Sequence, residues 1–307
     1  MNSQSPSILI AKRPDCDLSQ LKSRPLVTVI IPFYNARGII GRAIESIKKQ
    51  TYSEYEIIAV DDGSTDSGME YLSRSYPEVR LFSLKSNRGT SAAKNLGVIN
   101  SRGSLLAFLD SDDTWDENYL SYQVTVLSCM PSCGLSFSDC FLISQDTRKK
   151  IIFKSDIVKN DPIRFLMLNL SFIRTLSTVV IRKTLFEDFG LFDERLRMTE
   201  DRDLYIRLLE AKVTFCYLPI IIVDKFQRQE SLMSDSLAHL KAAVKLLILY
   251  LKKSKSLQYK RYALIGLDRR IREVLAQDSL SFMSRFSFFV MLMYYRMKYQ
   301  VLGIGVK

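Results

Sequence analysis

Short apolar runs alternate with segments of helical periodicity in the first part of the chain. The apolar runs predict strands at residues 27–31, 56–60, 79–84 and 105–109. Between them, apolar residues recur at the three- and four-residue spacing of a helix face, over residues 40–50, 66–76 and 90–100. Strands that alternate with helices predict an α/β fold with a mostly parallel central sheet flanked by helices.

The pattern is less regular after residue 115. It predicts helices at 116–127 and 162–170 and one that opens at Thr199, strands at 134–143, 151–153 and 177–181, a turn-rich segment at 187–193, and a last apolar strand region at 213–223 that Pro219 interrupts. Three further helical stripes follow residue 236. We therefore expect a flexible leader at 1–24, an α/β domain at 25–235 and a basic amphipathic helical tail at 236–307.

Carboxylates follow the apolar run at 105–109 directly. Asp110 and Asp112, two positions apart on an extended chain, point to the same side, and Asp113 is the next residue. Ligands of open α/β sheets bind beyond the carboxyl ends of the strands. Crowded carboxylates favour a hard divalent cation shared with substrate phosphates. The alternative is that these residues cap the following helix, which explains one aspartate but not three.

The positive charge of the chain is concentrated in its tail. The net charge is +11, and residues 241–307 contain fourteen Lys and Arg but only three acidic residues. Such a tail favours a polyanionic partner, either nucleic acid or an anionic membrane surface. We consider nucleic acid unlikely because no recognisable nucleic-acid-binding fold accompanies the charge. The other alternative is that the helices pack on the domain and their charges are solvated.

The cysteines and the histidine further limit the possible functional classes of the protein. The chain has five cysteines without a CxxC pair and one histidine, His239, so a zinc site is disfavoured. Residues 8–11 are too short for the apolar part of a secretory signal. The uncharged run at 286–295 is ten residues long, whereas a membrane span needs about 20. We expect reduced, packed thiols, a cytoplasmic location and a tail that lies in a membrane interface.

Five ordered motifs resemble glycosyltransferase family 2. They are residues 29–35 (VIIPFYN), 61–66 (DDGSTD), 87–95 (NRG through KN), 110–113 (DSDD) and 200–201 (ED). The resemblance covers about residues 25–235 and implies a GT-A fold, here with a C-terminal helical appendage. It also implies an inverting sugar transfer from a nucleotide diphosphate donor, usually UDP-linked, to a hydroxyl acceptor with Mg²⁺ or Mn²⁺.

The resemblance assigns roles to individual residues. Asp201 is similar to the general base, and Asp110 and Asp112 are similar to the pair that holds the metal. The implied substrate-binding residues are Pro32, Tyr34, Asn35, Asp62, Arg88, Lys94, Asp110, Glu200 and Arg228. Without the resemblance, the acids at 61–66 are ordinary turn formers, and Glu200 and Asp201 are favourable at a helix N-terminus.

Two positions depart from the family pattern. Lys94 stands where an arginine is usual, and lysine lacks the bidentate geometry of arginine. The segment at 226–234 lacks the usual histidine, and Arg228 is the cation that compensates for it electrostatically. We predict a peripheral enzyme on the cytoplasmic face of the membrane that extends a lipid-linked saccharide in bacterial surface polysaccharide synthesis. The rival predictions are a sugar-phosphate nucleotidyltransferase, although no glycine-rich loop follows the first strand, and a non-catalytic membrane or nucleic-acid adaptor.

Overall fold

Strands and helices alternate through the first half of the fold, as the apolar pattern predicts. The computed structural model describes residues 8–11, 24–145, 147–153, 158, 161–168, 171–227, 236–276 and 282–300. The strands are β1 (Ile8–Ile10), β2 (Val27–Phe33), β3 (Tyr55–Asp61), β4 (Arg80–Ser83), β5 (Leu105–Phe108), β6 (Thr114–Trp115), β7 (Cys133–Ile143), β8 (Arg148–Ile151), β9 (Val179–Arg182) and β10 (Thr214–Phe226). The helices are α1 (Ile40–Lys48), α2 (Gly68–Ser75), α3 (Thr90–Asn100), α4 (Tyr119–Cys129), α5 (Pro162–Leu168), α6 (Thr184–Phe189), α7 (Glu200–Glu210), α8 (Ser236–Lys253), α9 (Leu257–Leu275) and α10 (Phe282–Gln300).

These strands form one mostly parallel sheet. Their order is β1-β10-β7-β9-β5-β2-β3-β4, and β6 and β8 pair with β10 and β7 at its margin. Strand β9 runs antiparallel to both β5 and β7, and β7 runs parallel to β10. Strands β2, β3, β5, β7 and β10 therefore all end at the same edge. The predicted α/β class is confirmed.

Strand β2 lies inside the sheet, between β5 and β3, and both of its faces are covered. All seven of its residues are buried. Ile30 faces the apolar cluster that continues into the C-terminal helices, whereas Val29 and Ile31 face the cluster on the other side of the sheet. Burial on both faces explains why the apolar run in the sequence does not alternate with polar residues.

The predicted flexible leader is wrong for one segment. Ile8–Ile10 forms β1, which pairs in parallel with β10 through Phe215, Cys216 and Tyr217. The Ile8 side chain is buried in the core. An apolar tripeptide can add an edge strand because β10 offers unpaired backbone groups.

Three predicted elements between residues 148 and 226 differ from the structure. Residues 184–189 form helix α6 in place of part of the turn-rich segment, because Leu185 and Phe186 are buried. The predicted strand at 151–153 ends at residue 151 and begins earlier, where it forms a hairpin with β7. Pro219 does not end β10, because it lies exposed at a shift of register between Leu218 and Ile221.

The tail forms three helices, as predicted, and they pack on the α/β domain. Val244 and Tyr250 of α8, Leu264 of α9 and Leu292 of α10 belong to the same apolar cluster as Phe108 of β5. A buried carboxylate reinforces the junction with α7: Asp203 accepts hydrogen bonds from Arg207, Tyr250 and Lys253. The tail thus shares the core of the domain.

The predicted reduced state is wrong for Cys133 and Cys216. Cys133 of β7 and Cys216 of β10 form a disulfide, with Cα atoms 6.1 Å apart. Cys140 is a buried free thiol, in agreement with the expected packing.

Replacing Gly266 tests the packing of the tail. A Cβ atom there would overlap the carbonyl oxygen of Met167 on α5. We expect Gly266→Ala to lower the free energy of unfolding by about 1–3 kcal/mol, as overpacking typically does. Denaturant unfolding measures the change. The matched control is Gly38→Ala, whose added Cβ would meet nothing within 4 Å; equal stability of the two variants would contradict the described packing.

Candidate active site

The loops after β2 and β3 are joined by side-chain hydrogen bonds. Asn35 adopts a positive φ of 47°. Its side-chain oxygen accepts the N–H of Thr65 at 2.9 Å, and its own N–H donates to Ser64 Oγ at 2.9 Å. Pro32 is buried within β2, whereas Tyr34 is 47% exposed. Asn35 thus fixes the strand ends beside an accessible tyrosine ring.

Asp62 organises the next loop. It is buried, and its two oxygens accept the N–H groups of Arg88 at 2.7 Å and Gly89 at 2.8 Å. Gly89 has a φ of 94°, which favours glycine. A carboxylate has about four lone-pair sites, so the contact with a nucleotide base stays a prediction beside this structural role.

The acid cluster lies at the carboxyl end of β5. Carboxylate oxygens of Asp110, Asp112 and Asp113 lie within 4.8 Å of one another. Asp113 is fully buried and accepts the N–H of Phe226 at 3.0 Å and the hydroxyl of Ser177 at 2.7 Å. Its oxygens therefore anchor the loop, while Asp110 and Asp112 are partly exposed.

Asp110 and Asp112 fit a divalent metal. Hard cations such as Mg²⁺ and Mn²⁺ prefer carboxylate oxygens and accept one or two carboxylates together with substrate phosphates. The two partly exposed side chains offer such oxygens, and the N–H of Asp110 is held by Ser177 Oγ at 3.1 Å. A metal bound here supplies Lewis-acid stabilisation of negative charge on a phosphate.

The candidate base lies at the first turn of α7. Asp201 follows Glu200, whose Oε1 accepts a hydrogen bond from Lys94 Nζ at 2.8 Å in a buried ion pair. Burial lowers the pKa of Lys94, but the negative charges of Glu200, Asp110 and Asp201 outweigh burial and raise it. Lys94 therefore lies within electrostatic reach of both the candidate base and the acid cluster.

Asp201 is tuned by its surroundings. Burial and the charge of Glu200 raise its pKa to about 6, and Lys94 and the N–H of Arg202 oppose this shift. The N–H of Arg202 donates to Asp201 Oδ1 at 2.7 Å. A carboxylate with this pKa is ionised at neutral pH and is a stronger base than an ordinary aspartate.

Three predicted substrate-binding residues have partners within the chain, and their contact with substrate stays a prediction. Lys94 and Glu200 are buried against each other in the turn that carries Asp201. Arg88 donates to Glu194 at 2.7 Å. Arg228 lies outside the described residues.

Three residues that the motifs did not indicate contact the acid cluster: Ser177, Lys225 and Phe226. Lys225 and Phe226 lie at the end of a strand, and this position is the sequence signal that could have indicated them as site residues.

A mostly parallel α/β sheet with paired carboxylates at its carboxyl edge is the arrangement of the GT-A fold. The fold is similar to that of S. aureus TarS residues 1–349 in complex with UDP-GlcNAc, with a TM-score of 0.66 and 17% identity over 88% of this chain and 80% of that one.

The family model described as glycosyl transferase family 2 matches residues 28–189. The chain belongs to this family. An uncharacterised glycosyltransferase of Rickettsia typhi is 32% identical over 66% of this chain and 64% of its own length, so the match spans less than two thirds of that relative. The putative teichuronic acid biosynthesis glycosyltransferase TuaG of Bacillus subtilis is 36% identical over 40% of this chain and 50% of its length.

The raised pKa of Asp201 predicts a pH profile. Because the base acts as a carboxylate, we expect kcat/KM for sugar transfer to fall about tenfold per pH unit below pH 6 and to be level just above it. Glu200→Gln removes a charge that raises this pKa, so the acidic limb should move to lower pH. A limb that stays in place in Glu200→Gln, or a plateau that continues to pH 5, would contradict the assignment.

Proposed function

We propose that the protein transfers a sugar, with inversion, from a UDP-linked donor to a hydroxyl group of a saccharide acceptor. The observation that carries this proposal is that Lys94 lies within electrostatic reach of both Asp201 and Asp110, and that Asp110 clusters with Asp112. A metal–diphosphate site and a base must lie close together when both act on one anomeric carbon. The UDP-GlcNAc bound by TarS supports the donor class.

The chemistry is a single displacement. The acceptor oxygen forms a bond to the anomeric carbon while the bond between that carbon and the β-phosphate oxygen breaks. The electron pair leaves with the diphosphate, and Asp201 takes the acceptor proton. Attack from the face opposite the leaving group inverts the configuration. Tyr34, with its ring exposed, and Asn35 and Asp62 beside it form the wall against which the nucleoside lies.

The acceptor belongs to bacterial surface polysaccharide and is carried on a lipid. The similarity to TuaG, a putative teichuronic acid biosynthesis glycosyltransferase, supports the polysaccharide class. We place the enzyme on the cytoplasmic face of the membrane, in contact with anionic lipid. The chain does not need to cross the bilayer for this role, and no described helix has the length and apolar content to do so.

Helix α10 supports the membrane contact. Its inner face packs on the domain through Leu292, Tyr295 and Tyr299. Its outer face exposes large apolar side chains by 39% to 64%: Phe286, Phe289, Val290, Met293 and Met297. The helix contains three basic residues and no acidic residue. An apolar stripe with positive charge and no negative charge complements an anionic lipid surface.

Donor binding and transfer should respond to different substitutions. We expect Asp112→Asn to abolish Mn²⁺-dependent binding of UDP-GlcNAc, because a metal ligand is lost. Asp201→Asn should keep that binding and lose transfer by about 10²–10⁴-fold, the usual contribution of a general base. Calorimetry and radiolabel transfer to a saccharide acceptor measure the two effects. Turnover retained in Asp201→Asn, or metal-dependent binding retained in Asp112→Asn, would contradict the proposal.

Vesicle binding tests the outer face of α10. The variant Phe286→Ser/Phe289→Ser/Met293→Ser/Met297→Ser should lose sedimentation with phosphatidylglycerol-containing vesicles, because it loses buried apolar area at the interface. Its transfer to a soluble acceptor should stay unchanged. The matched control is Ile99→Ser/Ile152→Ser, which changes exposed apolar residues elsewhere. If the variant binds vesicles as the wild type does, this face does not bind lipid. The same conclusion follows if the wild-type protein forms a dimer through this face and the variant does not.

A further inference from the structure

We propose that Lys225 binds the diphosphate of the donor and stabilises it as it leaves. The inference rests on the proposed function and adds a second source of positive charge to that site. Lys225 is the next-to-last residue of β10, and no motif indicated it.

The position of Lys225 is fixed by the strands around it. It pairs with Leu142 of β7 in the parallel ladder. The preceding residue, Asp224, pairs with Thr114 of β6, directly after the acid cluster. The following residue, Phe226, donates its N–H to Asp113. The backbone on both sides of Lys225 is therefore tied to the loop that carries Asp110 and Asp112.

The ammonium group lies beside two carboxylates without a hydrogen bond to either. Lys225 Nζ is 3.8 Å from Asp110 Oδ2 and 4.0 Å from Asp113 Oδ2, and the side chain is 12% exposed. No acceptor among the described residues comes within hydrogen-bonding distance of it. An ammonium group has three donors, and the neighbouring Asp110 is partly exposed, so a ligand oxygen bound at the acid cluster would lie near them.

Charge favours a diphosphate as that ligand. The acid cluster concentrates negative charge at this edge, which repels phosphate unless cations lie beside it. The Lys225 ammonium is such a cation. Lysine binds phosphate as a compact point charge. This cation enters from the end of β10, the strand that precedes the segment in which the usual histidine is missing.

In this step Lys225 acts as a hydrogen-bond donor and not as an acid. As the bond between the anomeric carbon and the β-phosphate oxygen breaks, the electron pair moves onto that oxygen and the ammonium donates a hydrogen bond to the diphosphate. The acceptor proton goes to Asp201. A donor held at the place where charge develops contributes more in the transition state than in the ground state.

A purely structural role is the competing explanation, because Asp113 is a buried carboxylate that benefits from a nearby cation. Loss of a structural role would affect folding, and its effect on ligand binding would not depend on the number of phosphates in the ligand. A diphosphate contact affects the binding of UDP more than that of UMP and does not affect uridine.

The experiment compares UDP, UMP and uridine binding, each with Mn²⁺, by calorimetry. We expect Lys225→Met to weaken UDP binding by about 10- to 100-fold, the usual effect of losing a hydrogen bond to a charged group. The binding of uridine should stay unchanged. Lys225→Arg should restore part of the loss. Lys150→Met, on the exposed strand β8, is the control and should match the wild type.

A second variant keeps the test valid when Lys225→Met is unstable. Asp113→Asn/Lys225→Met removes both charges of the buried contact, so its melting temperature should exceed that of Lys225→Met. Because Asp113 also anchors the loop of Asp110 and Asp112, the reference for UDP binding is Asp113→Asn alone, and the double variant should bind UDP about 10- to 100-fold more weakly than that reference. If UDP, UMP and uridine bind to folded Lys225→Met as they do to the wild type, or if the double variant binds UDP as Asp113→Asn does, Lys225 is only a counter-ion. If the wild-type protein binds no UDP, GDP, CDP or dTDP, both the proposed function and this inference fail.

Discussion

The buried carboxylate of Asp113 determines the geometry of the acid-bearing edge. It is held by the N–H of Phe226 on β10 and by the hydroxyl of Ser177. Burying a carboxylate without partners costs several kcal/mol, so the loop after β5 is stable only where these donors lie. Asp110 and Asp112 therefore emerge at one position beside the end of β10. The site depends on this junction between elements that are distant in the chain.

A buried ion pair connects helix α3 to the first turn of α7, which carries the proposed base. Lys94 on α3 and Glu200 on α7 are almost fully buried. Removing one partner of such a pair leaves an uncompensated charge, which is strongly destabilising. The pair holds the first turn of α7, and Asp203 on the same helix is held by Tyr250 and Lys253 of α8. The C-terminal helices thus support the helix that carries Asp201.

Local patterns in the sequence predicted the parts of the fold that depend on local interactions. The apolar runs at 27–31 and 105–109 became β2 and β5, because burial on two faces leaves a direct trace in composition. The acids after β3 and β5 were expected at one edge, because parallel strands end together. The ion pair between Lys94 and Glu200 was not predicted, since pairing across 106 positions leaves no periodic signal. The contact of Lys225 with the acid cluster was not predicted, because the end of a strand marks a position but does not identify its partners in space. Strand β1 was missed because three apolar residues are too few to indicate a strand.

The central claim is that Asp110 and Asp112, positioned by Asp113, hold a metal on the donor diphosphate. A crystal grown with UDP and Mn²⁺ and measured at the manganese absorption edge tests it most directly. The account predicts one anomalous peak bound by Asp110 or Asp112 and by the diphosphate, with Asp113 still bonded to Phe226 and Ser177. A manganese ion bound elsewhere, or UDP bound away from the carboxyl edge of β2, β3 and β5, would contradict it.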